Sequence, residues 1–457
     1  MKRRLTELAG WLQAEGQLLD NVVVTGASID SRTVSPGDLF IPFRGEQVNG
    51  HQYVQQAIEK GAVAALWMKD EPNAPTTIPL LFVDDPEQAL QQLARAFRKE
   101  LTCKFIGITG SNGKTSTKDL MASALAPYFN VQKTEGNFNN ELGLPLTILN
   151  LKEDTEIAVL EMGMSGFGEI SFLSTLAEPH YVVITNIGEA HLQDLGSREG
   201  IAKAKFEIID GLQKGGKLFY DGDEPLLQTL VDQTPELEAV SFGYGQSNDL
   251  AITEIISGDT GSQFTVAGVL SGSFTIPVYG AHQVKNALAA ILVSNELRLD
   301  GKQIASALMQ SKLTDMRMQP LVADNGALLI NDAYNAAPTS MQAALQFLHE
   351  TSLRSKKWAV LGDMLELGDN ERHYHESIAE QLRTIELEGI LLYGPRMKWL
   401  YEELQNNGEQ TTVVWSENQY EPLIEKLQSL TDEHTIVLFK GSRGMALETI
   451  VKALEKQ

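Results

Sequence analysis

The sequence predicts an α/β fold in three domains, and three observations carry that prediction. The chain has 457 residues, and one core serves roughly 150 residues. Short apolar runs with strand character alternate with helix-like stretches over most of its length, the pattern of parallel sheets covered on both faces. A glycine-rich turn joins one of those runs directly to a helix.

The first domain is expected over residues 1–100. It holds the apolar runs Val22–Val24, Leu39–Ile41 and Ala62–Trp67, a turn at Ser35-Pro36-Gly37-Asp38, and a helix over Glu87–Lys99. The second is expected over 101–315, with strands at Phe105–Thr109, Ile157–Glu161 and Tyr181–Asn186, shorter β-like runs at Lys217–Tyr220 and Gln263–Val269, and a long helix over His282–Arg298. The third, over 316–457, reads as a second doubly wound, Rossmann-like unit. Its strands are Ala327–Ile330, Trp358–Leu361, Ile390–Tyr393 and Thr435–Phe439. Three of these strands run into polar or glycine-rich loops at Gly362-Asp363-Met364, Gly394-Pro395-Arg396 and Lys440–Gly444. Ligands of open α/β sheets sit beyond such carboxyl ends.

Composition bounds the function. A net charge of −23 argues against broad nucleic-acid or membrane-surface binding. Met1-Lys2-Arg3-Arg4 is followed by no apolar signal core, and no run is apolar enough for long enough to span a bilayer. With a single cysteine, Cys103, no internal disulfide forms, and a cytoplasmic location is expected. Cys103 stands just before an apolar strand and reads as a buried structural thiol.

Lys104–Thr115 is the most informative stretch. An apolar strand enters the turn Gly110-Ser111-Asn112-Gly113, followed by Lys114, Thr115 and the helical-looking Ser116–Ala126. Glycines let backbone N–H groups approach phosphate oxygens, and the helix presents its positive end to the same place. Lys114 can reach terminal phosphates and the Thr115 hydroxyl can ligate Mg²⁺, so a nucleoside triphosphate is the expected ligand. Ile108 stands where the common phosphate loop has its first glycine, leaving the shorter G-x-x-G-K-T form.

Other candidates are weaker alone. Glu161 ends an apolar strand, where a carboxylate either holds Mg²⁺ or is an ordinary strand-end acid. His191 follows another strand, and loop histidines are more often structural. Lys205 lies on an amphipathic helical stretch and, by pattern, is a solvated face residue. Asp332, Tyr334 and Asn335 follow a strand and read either as nucleotide contacts or as a capped turn before Pro338. Arg317 stands at the domain junction. His373 and His375 have no partners at metal-site spacing and read as surface or substrate-loop residues.

Taken together the residues resemble the Mur ligase family. The resemblance runs through Thr109–Thr115, Gly136-Asn137-Phe138-Asn139-Asn140, Gly143–Thr147, Glu161-Met162-Gly163, His191, Ala202-Lys203-Ala204-Lys205, and Gly280-Ala281-His282 with Asn286. Asp30-Ser31-Arg32, Gly37–Phe40 and Asn49-Gly50-His51 look like a uridine-nucleotide domain found in part of that family. Asp332–Met341, Leu361–Gly368 and Lys440–Arg443 narrow it to one branch. Ala337 and Gln283 depart from the usual pattern, each replacing an asparagine.

The resemblance implies an ATP-dependent ligase of peptidoglycan precursor synthesis that joins D-Ala-D-Ala to a UDP-MurNAc-tripeptide through an acyl phosphate. It assigns Gly110, Ser111, Asn112, Gly113, Lys114, Thr115, Ser116, Asn286, Arg317, Asp332, Tyr334 and Asn335 to ATP. It assigns Thr115, Glu161, His191 and a carbamoylated Lys205 to two Mg²⁺ ions, with Lys114, His191 and Lys205 catalytic. Ser31, Arg32, Gly45, Asn49, Asn139 and Thr147 fall to the UDP-substrate. A monomer is expected. A sister ligase adding another amino acid, a phosphate-loop kinase or ATPase, and a non-catalytic scaffold are the competing readings.

Overall fold

The computed structural model describes residues 1–16, 21–45, 47–189, 191–258, 261–405 and 411–455. The chain forms two compact units. One comprises Met1–Thr109, Tyr128–Val182 and Glu207–Lys217, and the other Gly110–Pro127, Val183–Phe206 and Leu218–Gln457.

In the first unit a five-stranded sheet runs Glu15–Gly16, Leu80–Val83, Ala64–Met68, Asp38–Phe40, Gly26–Ser28 in spatial order. All neighbours are parallel except the short first strand. The helix Pro86–Glu100 opens with Pro86 in its first turn and with the Asp85 carboxylate accepting N–H bonds from Glu87 and Gln88. Its buried Ala89, Leu90, Leu93, Ala94 and Phe97 keep the three-and-four spacing of one helical face. A parallel ladder joins Lys104–Thr109, Ile157–Glu161 and Val131–Lys133. Asn150 links the sheet to this region: its Oδ1 accepts from the Ala27 N–H at 2.9 Å, and its Nδ2 donates to the Ala27 carbonyl at 2.9 Å. Cys103 is buried, and desolvation lifts its thiol to about 11, as a structural thiol requires.

In the second unit the helix Lys114–Leu125 is buried on nearly every side and packs on Ala281–Glu296, itself buried at Gln283, Val284 and Asn286–Ser294. An antiparallel meander, Leu250–Gly258, Gly261–Gly268 and Gly272–Ile276, follows the strand Glu238–Gly243. Only its middle strand is foreshadowed in the sequence pattern.

The last sheet has six strands in the order Gln319–Val322, Leu328–Asn331, Thr435–Lys440, Lys356–Gly362, Gly389–Tyr393, Thr412–Ser416. Only the first pair is antiparallel. Alternate residues serve opposite faces, as the two-residue period of a strand demands. Ile330, Leu361, Leu392 and Leu438 pack with helices Pro338–Glu350 and Glu371–Leu382. Leu329, Val360, Leu391 and Val437 pack with Glu421–Leu430 and Glu448–Leu454 on the other face. The chain's last strand is inserted between its first two parallel partners, so Lys440 ends beside Asp332.

Candidate active site

The phosphate loop is built by its glycines and by the strand end beside it. Gly110 has φ +149° and Gly113 φ +81°. A Cβ on Gly110 would collide with Thr185 Oγ1, and one on Gly113 with the Asn286 carboxamide. Asn186 holds the turn twice, its carbonyl accepting from Ser111 N at 3.1 Å and its Oδ1 from Asn112 N at 2.9 Å. Thr185 Oγ1 donates to the Asn112 carbonyl at 2.6 Å, and Gly188 N donates to Ser111 Oγ at 2.9 Å. The side chains of Thr185 and Asn186 were not singled out from the sequence; their place at the end of an apolar strand was the available signal.

Lys114 Nζ donates to the Gly110 carbonyl at 2.7 Å, folding its ammonium over the loop. Thr115 and Ser116 are buried in the first helical turn. Asn112 Nδ2 is buried with no acceptor among the described residues. A loop of glycine backbone, a lysine and an unmatched amide donor suits an anion rich in oxygen acceptors.

Lys205 differs from the pattern-based reading of a solvated lysine. It is 1% exposed. Burial, followed by the positive charge of Lys114, depresses its pKa well below the ordinary lysine value. Among the described residues no carboxylate forms an ion pair with it. Helix Arg198–Phe206 buries Ile201, Ala202, Ala204 and Lys205 together, so the apolar stripe is wider than periodicity suggests. His191 sits at the left-handed start (φ +65°) of the short helix Leu192–Leu195. Its pKa is lowered first by burial and then by Lys205 and Lys114, which places the imidazole in the same electrostatic neighbourhood. His191 and Lys205 therefore offer an imidazole and a desolvated amine, a pair that suits a divalent cation once that amine carries a carboxylate. Among the described residues no group of three or more His, Cys, Asp and Glu side chains is poised for a metal.

Arg317, Tyr334, Asp332 and Asn335 belong to the same unit. The Arg317 guanidinium lies 4.0 Å over the Tyr334 ring and donates to Thr115 Oγ1 at 3.3 Å. Asp332 accepts from Lys440 Nζ at 2.6 Å and from Met318 N at 3.1 Å, while the Asn335 carbonyl accepts from Lys440 at 3.0 Å. Asn286 is buried and donates to Gln283 Oε1 at 3.2 Å. Thr339 Oγ1 donates to the Glu189 carboxylate.

Glu161 and the substrate candidates lie in the first unit. Glu161 is buried and its Oε1 accepts from Asn139 Nδ2 at 2.9 Å. Ser31 Oγ donates to Gln56 Oε1 at 2.7 Å, and Asn49 Nδ2 to Glu71 Oε1 at 3.0 Å. Arg32 is exposed and paired with Asp30. Gly45 N donates to the Val48 carbonyl, and Thr147 Oγ1 to the Gly143 carbonyl. His375, read as a surface or substrate-loop residue, is instead fully buried; Met364 N donates to its Nε2 at 3.0 Å, so it braces a strand end. His373 is exposed.

A strand, a glycine turn and a helix carrying Lys114 and Thr115, with a Rossmann-like sheet contributing Arg317 and Tyr334, define a nucleotide-phosphate-binding α/β protein. Comparison with known proteins supplies the rest. The Mur ligase middle domain matches residues 108–294, the Mur ligase glutamate ligase domain 316–443, and the Mur ligase catalytic domain 23–98. The UDP-N-acetylmuramoyl-tripeptide–D-alanyl-D-alanine ligase of Bacillus subtilis is 44% identical, over 95% of this chain and 94% of its own. The enzyme of that name from Escherichia coli is 31% identical, over 99% and 98%. A crystal structure of MurF from Acinetobacter baumannii superposes with a TM-score of 0.88 at 30% identity, covering 99% and 98% of the two chains. The MurF ligase of Thermotoga maritima, solved with ADP, gives 0.83 at 27%, covering 95% and 98%. The chain belongs to the Mur ligase family and has its three-domain α/β architecture.

Proposed function

We propose that this protein joins D-alanyl-D-alanine to UDP-N-acetylmuramoyl-tripeptide with hydrolysis of ATP to ADP and phosphate. The observation that carries the reading is the Gly110–Thr115 loop, closed by Lys114 and faced by Arg317, in a chain alike over nearly its whole length to ligases of that name. The tripeptide's terminal carboxylate is a poor electrophile. Transfer of the γ-phosphoryl group to one of its oxygens makes an acyl phosphate. The free amine of D-Ala-D-Ala then attacks the carbonyl carbon, the new C–N bond forms, and the C–O bond to phosphate breaks. Several anionic oxygens converge in this sequence, so positioning and cationic donors do most of the work.

Gly110–Ser116 cradle the phosphates and Lys114 holds the terminal ones. Arg317 faces the phosphates from beside the loop, and Asn286, Asp332, Tyr334 and Asn335 bind the rest of the nucleotide. Ser31, Arg32, Gly45, Asn49, Asn139 and Thr147 bind the UDP-substrate. Thr115, Glu161, His191 and a carbamoylated Lys205 are the residues that would hold Mg²⁺; bound, the ions neutralise charge on the phosphate oxygens. A carbamate forms from a neutral amine, and the burial of Lys205 beside Lys114 supports it. Domain boundaries near 100/101 and 315/316 fit this division of labour. We read the protein as a cytoplasmic monomer; among the described residues no helix is long and apolar enough to cross a membrane.

Phosphate release measured with each substrate omitted in turn tests the assignment. Turnover should need ATP, the UDP-tripeptide and D-Ala-D-Ala together. Full turnover without the dipeptide, or with a single amino acid in its place, would sink it. Lysine- and diaminopimelate-ending tripeptides compared in the same assay identify the acceptor.

A further inference from the structure

We propose that Asp119 and Thr314 are positioning residues that aim Arg317 at the phosphate site by clamping the linker (residues 309–318, between the helix Gly301–Leu308 and the strand Gln319–Val322) to the phosphate-loop helix at a second point. Thr115 and Asp119 are four residues apart on the helix Lys114–Leu125 and so lie on one face, a turn apart. The linker follows that face. Thr314 donates to Asp119 Oδ2 through its backbone N–H at 2.8 Å and through Oγ1 at 2.7 Å. Three residues on, Arg317 donates to Thr115 Oγ1 at 3.3 Å. Asp119 is wholly buried, in a helix where an apolar side chain would cost nothing in solvation. Its carboxylate receives both bonds that Thr314 offers.

The backbone around Arg317 shows why a second anchor is needed. Met316 has φ +62° and Met318 φ +54°. Side chains larger than glycine enter the left-handed region at a cost and stay there only where their surroundings hold them. On the far side the hold is plain: Met318 is buried in the core of the last sheet, and its N–H donates to Asp332 Oδ1 at 3.1 Å. On the near side Met316 stays outside that core; its own N–H donates to Gln319 Oε1 at 3.1 Å, and its carbonyl accepts from Tyr334 N at 3.3 Å. The firm near anchor is Thr314 on Asp119. Between the anchors the guanidinium is stacked on Tyr334, with its Nε buried and unmatched by any acceptor among the described residues. A donor kept in that state suits an anionic oxygen arriving at the loop.

The proposal rests on Arg317 contacting the nucleotide, and the test separates the two. Steady-state kinetics with ATP varied would be measured on the full-length enzyme carrying Thr314→Val, Thr314→Ser, Arg317→Ala and Thr314→Val with Arg317→Ala. Thr314→Val keeps the backbone bond and the branching but loses the hydroxyl. It should lower kcat/KM for ATP about five- to tenfold, leave the KM for the UDP-tripeptide unchanged, and be rescued by Thr314→Ser. In the Arg317→Ala background the same change should have no further effect, because a clamp with nothing to aim is silent. An equal fold loss in both backgrounds would overturn the clamp and leave the role of Arg317 standing. Wild-type kinetics in Arg317→Ala would overturn both. Should Thr314→Val fold poorly, Asp119→Asn carries the same expectation in the same two backgrounds.

Discussion

Lys440 Nζ lies 2.6 Å from Asp332 Oδ2, at the carboxyl ends of two neighbouring parallel strands, with both side chains nearly closed to water. Removing one partner leaves a buried charge unmatched, which costs about 3–5 kcal/mol, whereas apolar replacement of both costs far less. Lys440→Met should lower unfolding free energy in urea by an amount in that range, and adding Asp332→Leu should recover part of it. A single variant within about 1 kcal/mol of wild type would show that the pair is solvated.

Lys205 carries a different expectation, because its buried amine has a cation for a neighbour. Lys205→Ala should lose at least roughly tenfold in turnover, on the scale of a damaged metal shell. A short-chain carboxylate added to the assay should restore part of that loss by standing in for the carbamate. Normal turnover of the variant without any addition is the result that sinks the idea.

Gly113→Ala tests the loop itself. The substitution meets both a left-handed backbone and the Asn286 carboxamide, while Gly136, at φ +54°, has open space around it. Gly136→Ala should cost only the conformational penalty of about 1–2 kcal/mol. Gly113→Ala should in addition raise the KM for ATP by about an order of magnitude, the kinetic equivalent of roughly 1.4 kcal/mol. Equal effects of the two substitutions on ATP kinetics would count against the cradle.

His180 gives the fold a pH dependence away from the site. Its Nδ1 accepts from Phe105 N at 3.1 Å, and burial, then Arg98 and Lys104, lowers its pKa to about 4 from an ordinary 6.5. Between those values the unfolded chain holds the proton more readily than the folded one. This contribution is therefore complete above pH 6.5 and is lost as pH falls toward 4. His180→Asn should flatten the decline of urea stability as pH falls from 6.5 to about 4. Identical slopes in the two proteins would remove His180 from the account.

Much of the fold is legible in the sequence because strands of a parallel sheet are continuous apolar runs and the loop's glycines mark a backbone that other residues cannot follow. Lys104–Thr109, Ile157–Glu161, Thr435–Lys440 and the helix after Gly113 lie within a residue or two of their expected places. The meander was largely hidden. Leu250–Gly258 does not alternate: Leu250, Ala251 and Ile252 are buried in a row, the residues after them face solvent wholly or in part, and it ends in Ser257 and Gly258, which read as turn chemistry. Lys205 is buried where its helical pattern suggests a solvated face, and His375 is buried where its spacing suggests a surface loop. Periodicity reports which residues share a helical face, and says nothing of a second element covering that face. Asp119 was equally silent, since its partner Thr314 is 195 residues away in the chain.

The double bond between Asn150 and the backbone of Ala27 has a directional consequence. One side chain presents a donor and an acceptor to a single residue's acceptor and donor, as a neighbouring strand would. Shape alone does not satisfy it: aspartate, the same size, would set an oxygen against the Ala27 carbonyl. The seam thus works as a keyed connector, rejecting by polarity a mismatch that packing would tolerate.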